Sequence, residues 1–137
     1  FMAAAVADFR CRNENCQNIK KKGDVNFMML ELEKNPDIIA ELCKVKGDRI
    51  VVGFAAETEN IIEHALDKLK RKDLDLIVAN NVAQQGIGFG SEENEVTIID
   101  RSGATKQVPR LSKDEIAHII LDSVKKLLKK RRKSGEH

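Results

Sequence analysis

The spacing of apolar residues along the chain changes between the patterns of strands and of helices. Apolar runs within 1–6, 49–55 and 75–79 predict three buried strands. Apolar stripes with helical spacing follow Thr58 and Ser112, which are good residues for the N-cap position. Strands that alternate with helices predict an α/β protein, with a three-layer Rossmann-like fold around a mainly parallel sheet.

Turn-forming residues predict the remaining elements. Gly23-Asp24 separates two short strands within 19–32, and Ser102-Gly103 joins strands at 95–100 and 106–108, so two β-hairpins are added to the sheet. Residues 7–18 are predicted to form a loop. Asn35-Pro36-Asp37 predicts a helix that extends to about Val45, with Asn35 as the cap and Pro36 as the first helical residue.

Composition and charge limit the possible classes of protein. A chain of 137 residues with a net charge of +2 and no long apolar run predicts one domain, no membrane span and no nucleic-acid partner. Three cysteines without a second pair of metal ligands predict free thiols, and the chain has no visible targeting segment. We therefore expect a cytoplasmic protein. A core strand with nothing before it predicts that the N-terminal part of the domain is missing.

Several polar residues follow predicted strands, where ligands of open α/β sheets bind. They are Asp8, the segment from Phe54 to Thr58, and Asn80. The helix start at Asn35 could attract phosphate through its free amides, although a simple cap explains it equally well.

Two lysines lie at the edge of the apolar stripe that follows Thr58. Lys68 and Lys72 are one helical turn apart, so they could either cover apolar surface with their stems or pair with phosphates. His64 and His118 are predicted to be solvated or structural. The loop with Gly86, Gly88 and Gly90 lacks the Gly-x-Gly-x-x-Gly spacing that a dinucleotide-binding oxidoreductase requires.

The C-terminal end of the chain is basic. A basic last turn suits the negative end of a helix dipole, and a functional patch is the alternative. The alternative predicts a non-catalytic nucleotide- or nucleic-acid-binding module. The residues concerned are Lys125, Lys126, Lys129, Lys130, Arg131, Arg132 and Lys133.

Several segments together resemble the phosphopantothenate–cysteine ligase family, which in many bacteria forms the C-terminal half of a bifunctional protein of coenzyme A biosynthesis. The segments are Ala4-Ala5-Val6-Ala7-Asp8-Phe9-Arg10, Ile19-Lys20-Lys21, Lys34-Asn35-Pro36-Asp37-Ile38, Val52-Gly53-Phe54-Ala55-Ala56-Glu57-Thr58, Lys68 to Lys72, Asp75-Leu76-Ile77-Val78-Ala79-Asn80, and Gly88-Phe89-Gly90-Ser91 with Asn94.

This resemblance implies a reaction, its cofactors and its partners. The carboxylate of 4′-phosphopantothenate would attack CTP to give an acyl-cytidylate and pyrophosphate, and the amine of L-cysteine would then displace CMP. Mg²⁺ would accompany CTP, and FMN would be present only where a decarboxylase is fused upstream. A homodimer formed through the hairpins is also implied.

The resemblance also implies which residues form the site. The residues implied for the nucleotide are Ala4, Asp8, Pro36, Asp37, Ile38, Ile39, Phe54, Lys68 and Lys72, and Asn80 is implied for the substrate. Asn18 stands where the family usually has a catalytic lysine, so Asn18, Lys20 and Lys21 are the catalytic candidates. The family's N-terminal Gly-rich segment does not occur in this sequence, and we expect the chain alone not to be fully active.

Overall fold

The structure of the chain is a computed structural model, which describes residues 6–12, 29–81 and 92–134. The chain divides into two compact units, Phe1–Ile38 and Ile39–His137, and each is described by itself. The sequence predicts one domain for the whole chain, and this stays a prediction.

The first unit contains a two-stranded antiparallel sheet. Strand β1 (Phe9–Cys11) pairs with β2 (Leu32–Lys34), and an ion pair of 2.6 Å joins Arg10 to Glu33 across the two strands. The prediction of a loop over 7–18 is therefore wrong at residues 9–11. Most of the predicted first strand and the hairpin turn at Gly23-Asp24 lie outside the described residues.

The second unit contains a four-stranded sheet in the order β3-β4-β5-β6. Strands β3 and β4 are parallel, whereas β4–β5 and β5–β6 are antiparallel pairs. The described sheet thus joins one parallel pair to one hairpin, as a Rossmann-like core with a hairpin addition requires. The elements are α1 (Ile38–Lys44), β3 (Val52–Glu57), α2 (Ile61–Arg71), β4 (Leu76–Asn81), β5 (Glu93–Asp100), β6 (Thr105–Ser112) and α3 (Lys113–Ser134).

Helices cover both faces of this sheet, which confirms the predicted three layers. Alternate side chains of a strand point to opposite faces, so each strand contributes to two cores. One core combines α2 with Cys43 of α1, and its buried residues are Cys43, Ala55, Ala65, Leu69, Leu74, Ile77, Ala79 and Ile99. The other lies under α3, and its buried residues are Leu76, Val78, Val96, Ile98, Val108 and Ile116.

Two predicted helix starts are wrong. Helix α1 begins at Ile38, so Asn35 is not its cap and Pro36 is not its first residue. The side-chain amide of Asn35 instead donates a hydrogen bond to the carbonyl oxygen of Ala7 at 2.7 Å. The side chain of Asn35 is therefore not available to cap α1. Helix α2 begins at Ile61 rather than after Thr58, because Asn60 precedes it in a left-handed conformation with φ of 46°.

The predicted hairpin around Ser102-Gly103 is confirmed, and its strands are longer than predicted. A carboxylate oxygen of Asp100 accepts hydrogen bonds from the amide of Ser102 at 2.9 Å and from that of Ala104 at 3.1 Å. Gly103 has φ of +85°, which a residue without a side chain adopts easily. Burial is the largest single influence on the pKa of Asp100 and raises it, but hydrogen bonds from the Ser102 hydroxyl and from these two amides together hold the pKa below its usual value.

Ser112 caps α3, as predicted. Its hydroxyl accepts from the amide of Glu115 at 3.3 Å, and the carboxylate of Glu115 accepts from the amide of Ser112 at 3.1 Å. This reciprocal pair is a capping box, which satisfies backbone donors that the first helical turn leaves free. No helix of the described residues is long and apolar enough to cross a membrane.

Replacing Ser112 with Ala should lower the free energy of unfolding by about 1 kcal/mol, because the first turn of α3 loses its acceptor. Urea denaturation followed by circular dichroism measures this change. Ser123→Ala in the same helix is the matched control, since its hydroxyl only donates to the carbonyl of Ile119 within the helix. Equal losses in both variants would show that the cap contributes nothing specific.

Candidate functional site

The carboxyl ends of the parallel strands β3 and β4 lie side by side. Ala56 is paired with Asn80, and Glu57 is paired with Asn81. Alternation along the strands places Glu57 on the face covered by α2, and Phe54 and Asn80 on the face covered by α3. The structure thus brings these predicted site residues to the same end of the sheet but distributes them over its two faces.

On the α2 face, Lys68 contacts Glu57 at the end of β3. The ammonium group of Lys68 donates to Oε1 of Glu57 at 2.5 Å. Side chains on a helix point back toward its N terminus, and this direction carries Lys68 to the carboxyl end of the strand. Nδ1 of His64 lies 3.2 Å from Oε2 of the same carboxylate. The predicted position of Lys68 at the edge of the stripe therefore places a cation where a phosphate could bind.

Sequence reasoning included Glu57 in the segment from Phe54 to Thr58 but gave it no role of its own. Its side chain is only 12% exposed, against 37% for Lys68 and 51% for His64. The hydrogen bond from Lys68 is the main cause that lowers the pKa of Glu57, and the contact with His64 adds to it. An acidic residue at the end of an otherwise apolar strand, eleven residues before a lysine at a helix edge, is the signal that could have indicated this pair.

The lowered pKa predicts how stability depends on pH. The Glu57 carboxylate stabilises the fold fully above its unfolded-state pKa of about 4.5, and this contribution disappears as pH falls through the lower folded-state pKa. Between pH 5 and pH 3, the stability difference between the wild type and Glu57→Gln should therefore shrink. Urea unfolding at a series of pH values measures it, and a difference that stays constant over this range would contradict the prediction.

Lys72 lies one helical turn after Lys68, at the end of α2. Its backbone amide donates to the carbonyl oxygen of Lys68 at 3.0 Å, and the residue is partly buried. Lys72 thus ends the helix in addition to any role with a ligand. Removal of the Lys68 side chain would leave the largely buried Glu57 carboxylate without this partner, whereas the capping contact of Lys72 is made by its backbone.

On the α3 face, Asn80 and Phe54 present two different groups. Oδ1 of Asn80 is a buried acceptor without a hydrogen-bond partner among the described residues. A buried acceptor that stays unpaired costs about 1–3 kcal/mol, so a donor from a ligand would be favourable here. Phe54 is 72% exposed on β3, which is unusual for a large apolar side chain in the middle of a strand. The ligand-binding roles of Asn80 and Phe54 stay predictions.

The described nucleotide-binding candidates of the first unit lie beside the start of β1 and the end of β2. The carbonyl oxygen of Asp8 accepts a hydrogen bond from the backbone amide of Asn35 at 2.8 Å, and this bond fixes the backbone just before Pro36. Asp8, Pro36 and Asp37 are exposed, and Ile38 is 47% exposed. Ala4, Asn18, Lys20, Lys21 and the glycines of the loop at 86–90 lie outside the described residues.

Ile39 belongs to the second unit, and its side chain packs against the core under α2. Any contact between Ile39 and a nucleotide would therefore involve its backbone or the part of the side chain that remains accessible. Helix α1 has only seven residues, so the phosphate site predicted at its start would depend on the dipole of a short helix.

A cavity of about 660 Å³ opens between the start of α2 and strands β5 and β6. No lysine or arginine is among the residues that line it, whereas Glu59, Glu63 and Glu95 are. Such a lining disfavours a triphosphate by charge repulsion. The strand ends around Lys68 and Asn80 are therefore the better candidate for the nucleotide site.

Asp75 forms a buried cluster of charges at the opposite end of β4, which sequence reasoning missed. Its carboxylate accepts from the amide of Val51 at 2.9 Å, pairs with Lys46 at 3.4 Å and contacts the guanidinium of Arg131. The guanidinium of Arg131 also donates to the carbonyl oxygens of Asp48 and Arg49, both at 3.1 Å. One residue of the basic C-terminal end thus anchors α3 to the sheet, which gives part of that end a structural role.

No group of three or more His, Cys, Asp or Glu side chains that could hold a metal ion occurs in the described ranges 6–12, 29–81 and 92–134. Mg²⁺ in nucleotide sites commonly binds through the phosphates with one or two carboxylates. An Mg²⁺ ion that arrives with CTP would therefore need no dedicated cluster of protein ligands.

Known proteins resemble this chain over most of its length. Residues 1–128 match the DNA/pantothenate metabolism flavoprotein C-terminal domain. The coenzyme A biosynthesis bifunctional protein CoaBC of Bacillus subtilis is 43% identical over 92% of the chain, and that of Vibrio cholerae serotype O1 is 41% identical over 86%. A crystal structure of the C-terminal domain of CoaBC covers 73% of the chain and 48% of its own, with 38% identity and a TM-score of 0.63.

The chain spans only 30% of the length of these two curated relatives. The matches lie in the family that the sequence motifs indicated, and the solved CoaBC domain has the same α/β class as this chain. The chain therefore belongs to the family of the DNA/pantothenate metabolism flavoprotein C-terminal domain.

Proposed function

We propose that this chain contributes to coenzyme A biosynthesis as the nucleotide-binding part of a CTP-dependent ligase. The ligase would join 4′-phosphopantothenate to L-cysteine. The family membership and the names of the bifunctional relatives support the pathway. The observation that carries the proposal is the ammonium group of Lys68, which lies at the carboxyl end of β3, where open α/β sheets bind their ligands.

The reaction has two steps that balance in atoms and charge. A carboxylate oxygen of 4′-phosphopantothenate forms a bond to the α-phosphorus of CTP, and the bond to pyrophosphate breaks. The cysteine amine then forms a bond to the activated carbonyl carbon and loses a proton, while the bond to CMP breaks. Charge increases on the phosphate oxygens during the first step, so a fixed cation nearby lowers its barrier.

Different residues of this chain would contact different groups of the ligands. Lys68, followed one turn later by Lys72, would bind phosphate oxygens, and Mg²⁺ would neutralise the remaining charge. Asn80 would accept a hydrogen bond from a ligand through its Oδ1 atom, which has no partner in the part of the chain that the structure describes. Phe54 would provide apolar contact area, and Asp8, Pro36, Asp37, Ile38 and Ile39 stay predicted contacts of the nucleotide.

We also propose that the chain forms a homodimer and lies in the cytoplasm. Strand β6 lies at an edge of the described sheet and exposes backbone groups that could pair with a second copy, which supports the homodimer expected from the resemblance. A cytoplasmic location would agree with the metabolic role. No observation favours the alternative of a nucleic-acid-binding module, and Arg131 is engaged with the protein's own backbone.

Replacing Lys68 with Ala should weaken the binding of Mg²⁺-CTP about tenfold, which is the loss of roughly one charged hydrogen bond. Isothermal titration calorimetry of the chain with CTP, and separately with ATP, measures both the affinity and the choice of base. Selective binding of CTP by the wild type is the expected result.

Lys70→Ala is the matched control, because Lys70 is exposed on the same helix and its removal changes the net charge equally. Its affinity for CTP should stay within about twofold of the wild type. An equal loss in both variants would show that only the overall charge matters, and unchanged affinity in Lys68→Ala would remove this lysine from the site.

A further inference from the structure

We infer that Glu57 is a positioning residue, which holds the ammonium group of Lys68 in the place where it meets the phosphates of the nucleotide. The inference rests on the proposed function, because it requires Lys68 to bind a phosphate. It adds a residue to which the sequence motifs assigned no role.

The two oxygens of the Glu57 carboxylate have different partners. Oε1 accepts from Nζ of Lys68 at 2.5 Å, and Oε2 lies 3.2 Å from Nδ1 of His64. The contact with His64 fixes the plane of the carboxylate, which directs Oε1 toward the lysine. An ammonium group has three N–H donors, and one contact with Glu57 leaves two for phosphate oxygens. Glu57 and a phosphate can therefore bind Lys68 at the same time.

Burial of the carboxylate makes this arrangement more rigid than an ordinary surface ion pair. The Glu57 side chain is 12% exposed, and it extends from the last residue of β3, a strand of the central sheet. Lys68 is 37% exposed, so its end is accessible to a ligand. A lysine without a partner loses much conformational entropy when a ligand fixes it. The contact with Glu57 already restricts Lys68 in the free protein, so binding of a ligand costs less entropy.

A second effect of Glu57 would weaken the binding of the nucleotide instead of strengthening it. A carboxylate close to bound phosphates repels them, and it would also compete with them for Lys68. If that effect dominated, the removal of the charge at position 57 would strengthen the binding of CTP. The short contact and the free donors of Lys68 favour positioning, and the direction of the change in affinity distinguishes the two effects.

A double-mutant cycle measured by calorimetry with Mg²⁺-CTP tests the inference. Glu57→Gln should weaken binding about fivefold when Lys68 is present, and by less than about twofold in the Lys68→Ala background. Glu57→Asp keeps the charge but shortens the side chain by one methylene group, so it should weaken binding about as much as Glu57→Gln. Thermal unfolding of each variant checks that the fold is retained.

Each other outcome overturns the inference. Equal weakening by Glu57→Gln in both backgrounds would show a general structural role, and stronger binding would show competition. If Glu57→Asp bound CTP as tightly as the wild type while Glu57→Gln bound it more weakly, the charge of residue 57 would matter and the exact position of its carboxylate would not. If the wild-type chain binds no CTP, the proposed function of this chain fails as well, whereas binding without coupling overturns only the role of Glu57.

Discussion

Asp75→Ala should lower the free energy of unfolding by about 3 kcal/mol, because it breaks a buried cluster of charges. The Asp75 side chain is 4% exposed and the side chain of Lys46 is 9% exposed, so the substitution leaves a buried ammonium group without this partner. The amide of Val51 and the guanidinium of Arg131 lose the same acceptor. Urea denaturation of the chain at neutral pH measures the loss.

Asp67→Ala is the matched control for this variant. Asp67 is 74% exposed and its nearest cation, Arg71, is 3.8 Å away, so its removal should change stability by no more than about 0.5 kcal/mol. Both variants remove one negative charge, but only Asp75 is buried and accepts hydrogen bonds from the amide of Val51 and the guanidinium of Arg131. A loss in Asp75→Ala as small as that in the control would mean that the cluster adds no net stability.

Gly53→Ala should lower the free energy of unfolding by about 2 kcal/mol. A Cβ atom added at Gly53 would lie 2.5 Å from Cδ1 of Leu74, which is closer than two carbon atoms can approach. Leu74 is 2% exposed and part of the core under α2, so it has little room to move. Urea denaturation measures the change.

The Gly53→Ala/Leu74→Ala double variant tests the cause. If the contact with Leu74 is responsible, the double variant should lose less stability than the sum of the two single losses, because the smaller side chain makes room for the added methyl group. Strict additivity would indicate that Gly53 is required for the backbone of β3 instead.

Elements with strong local signals were predicted well from the sequence. The start of α3 at Ser112 and the hairpin turn at Ser102-Gly103 depend on contacts within a few residues. The three layers follow from the alternation of apolar residues between the two faces of the strands. These features are encoded locally, so one sequence was sufficient to find them.

Elements that depend on distant residues were predicted less well. Strand β3 was expected over 49–55 but comprises Val52–Glu57, because the amide of Val51 donates to the side chain of Asp75 instead of entering the ladder. The strand ends two residues later than expected, which places Glu57 inside the strand and beside Lys68. The Glu57–Lys68 pair and the Asp75 cluster were missed for the same reason, since each joins residues that are far apart in the sequence.

The division of the core between two faces also affects how this unit folds. Among the described residues, α3 is the helix that covers the face formed by Leu76, Val78, Ile98 and Val108, and Arg131 reaches Asp75 over 56 positions of sequence. The α2 face uses residues no later than Ile99, so it can assemble first. A chain in which α3 is not docked would leave this apolar strand surface open to other chains, and an exposed surface of this kind favours aggregation.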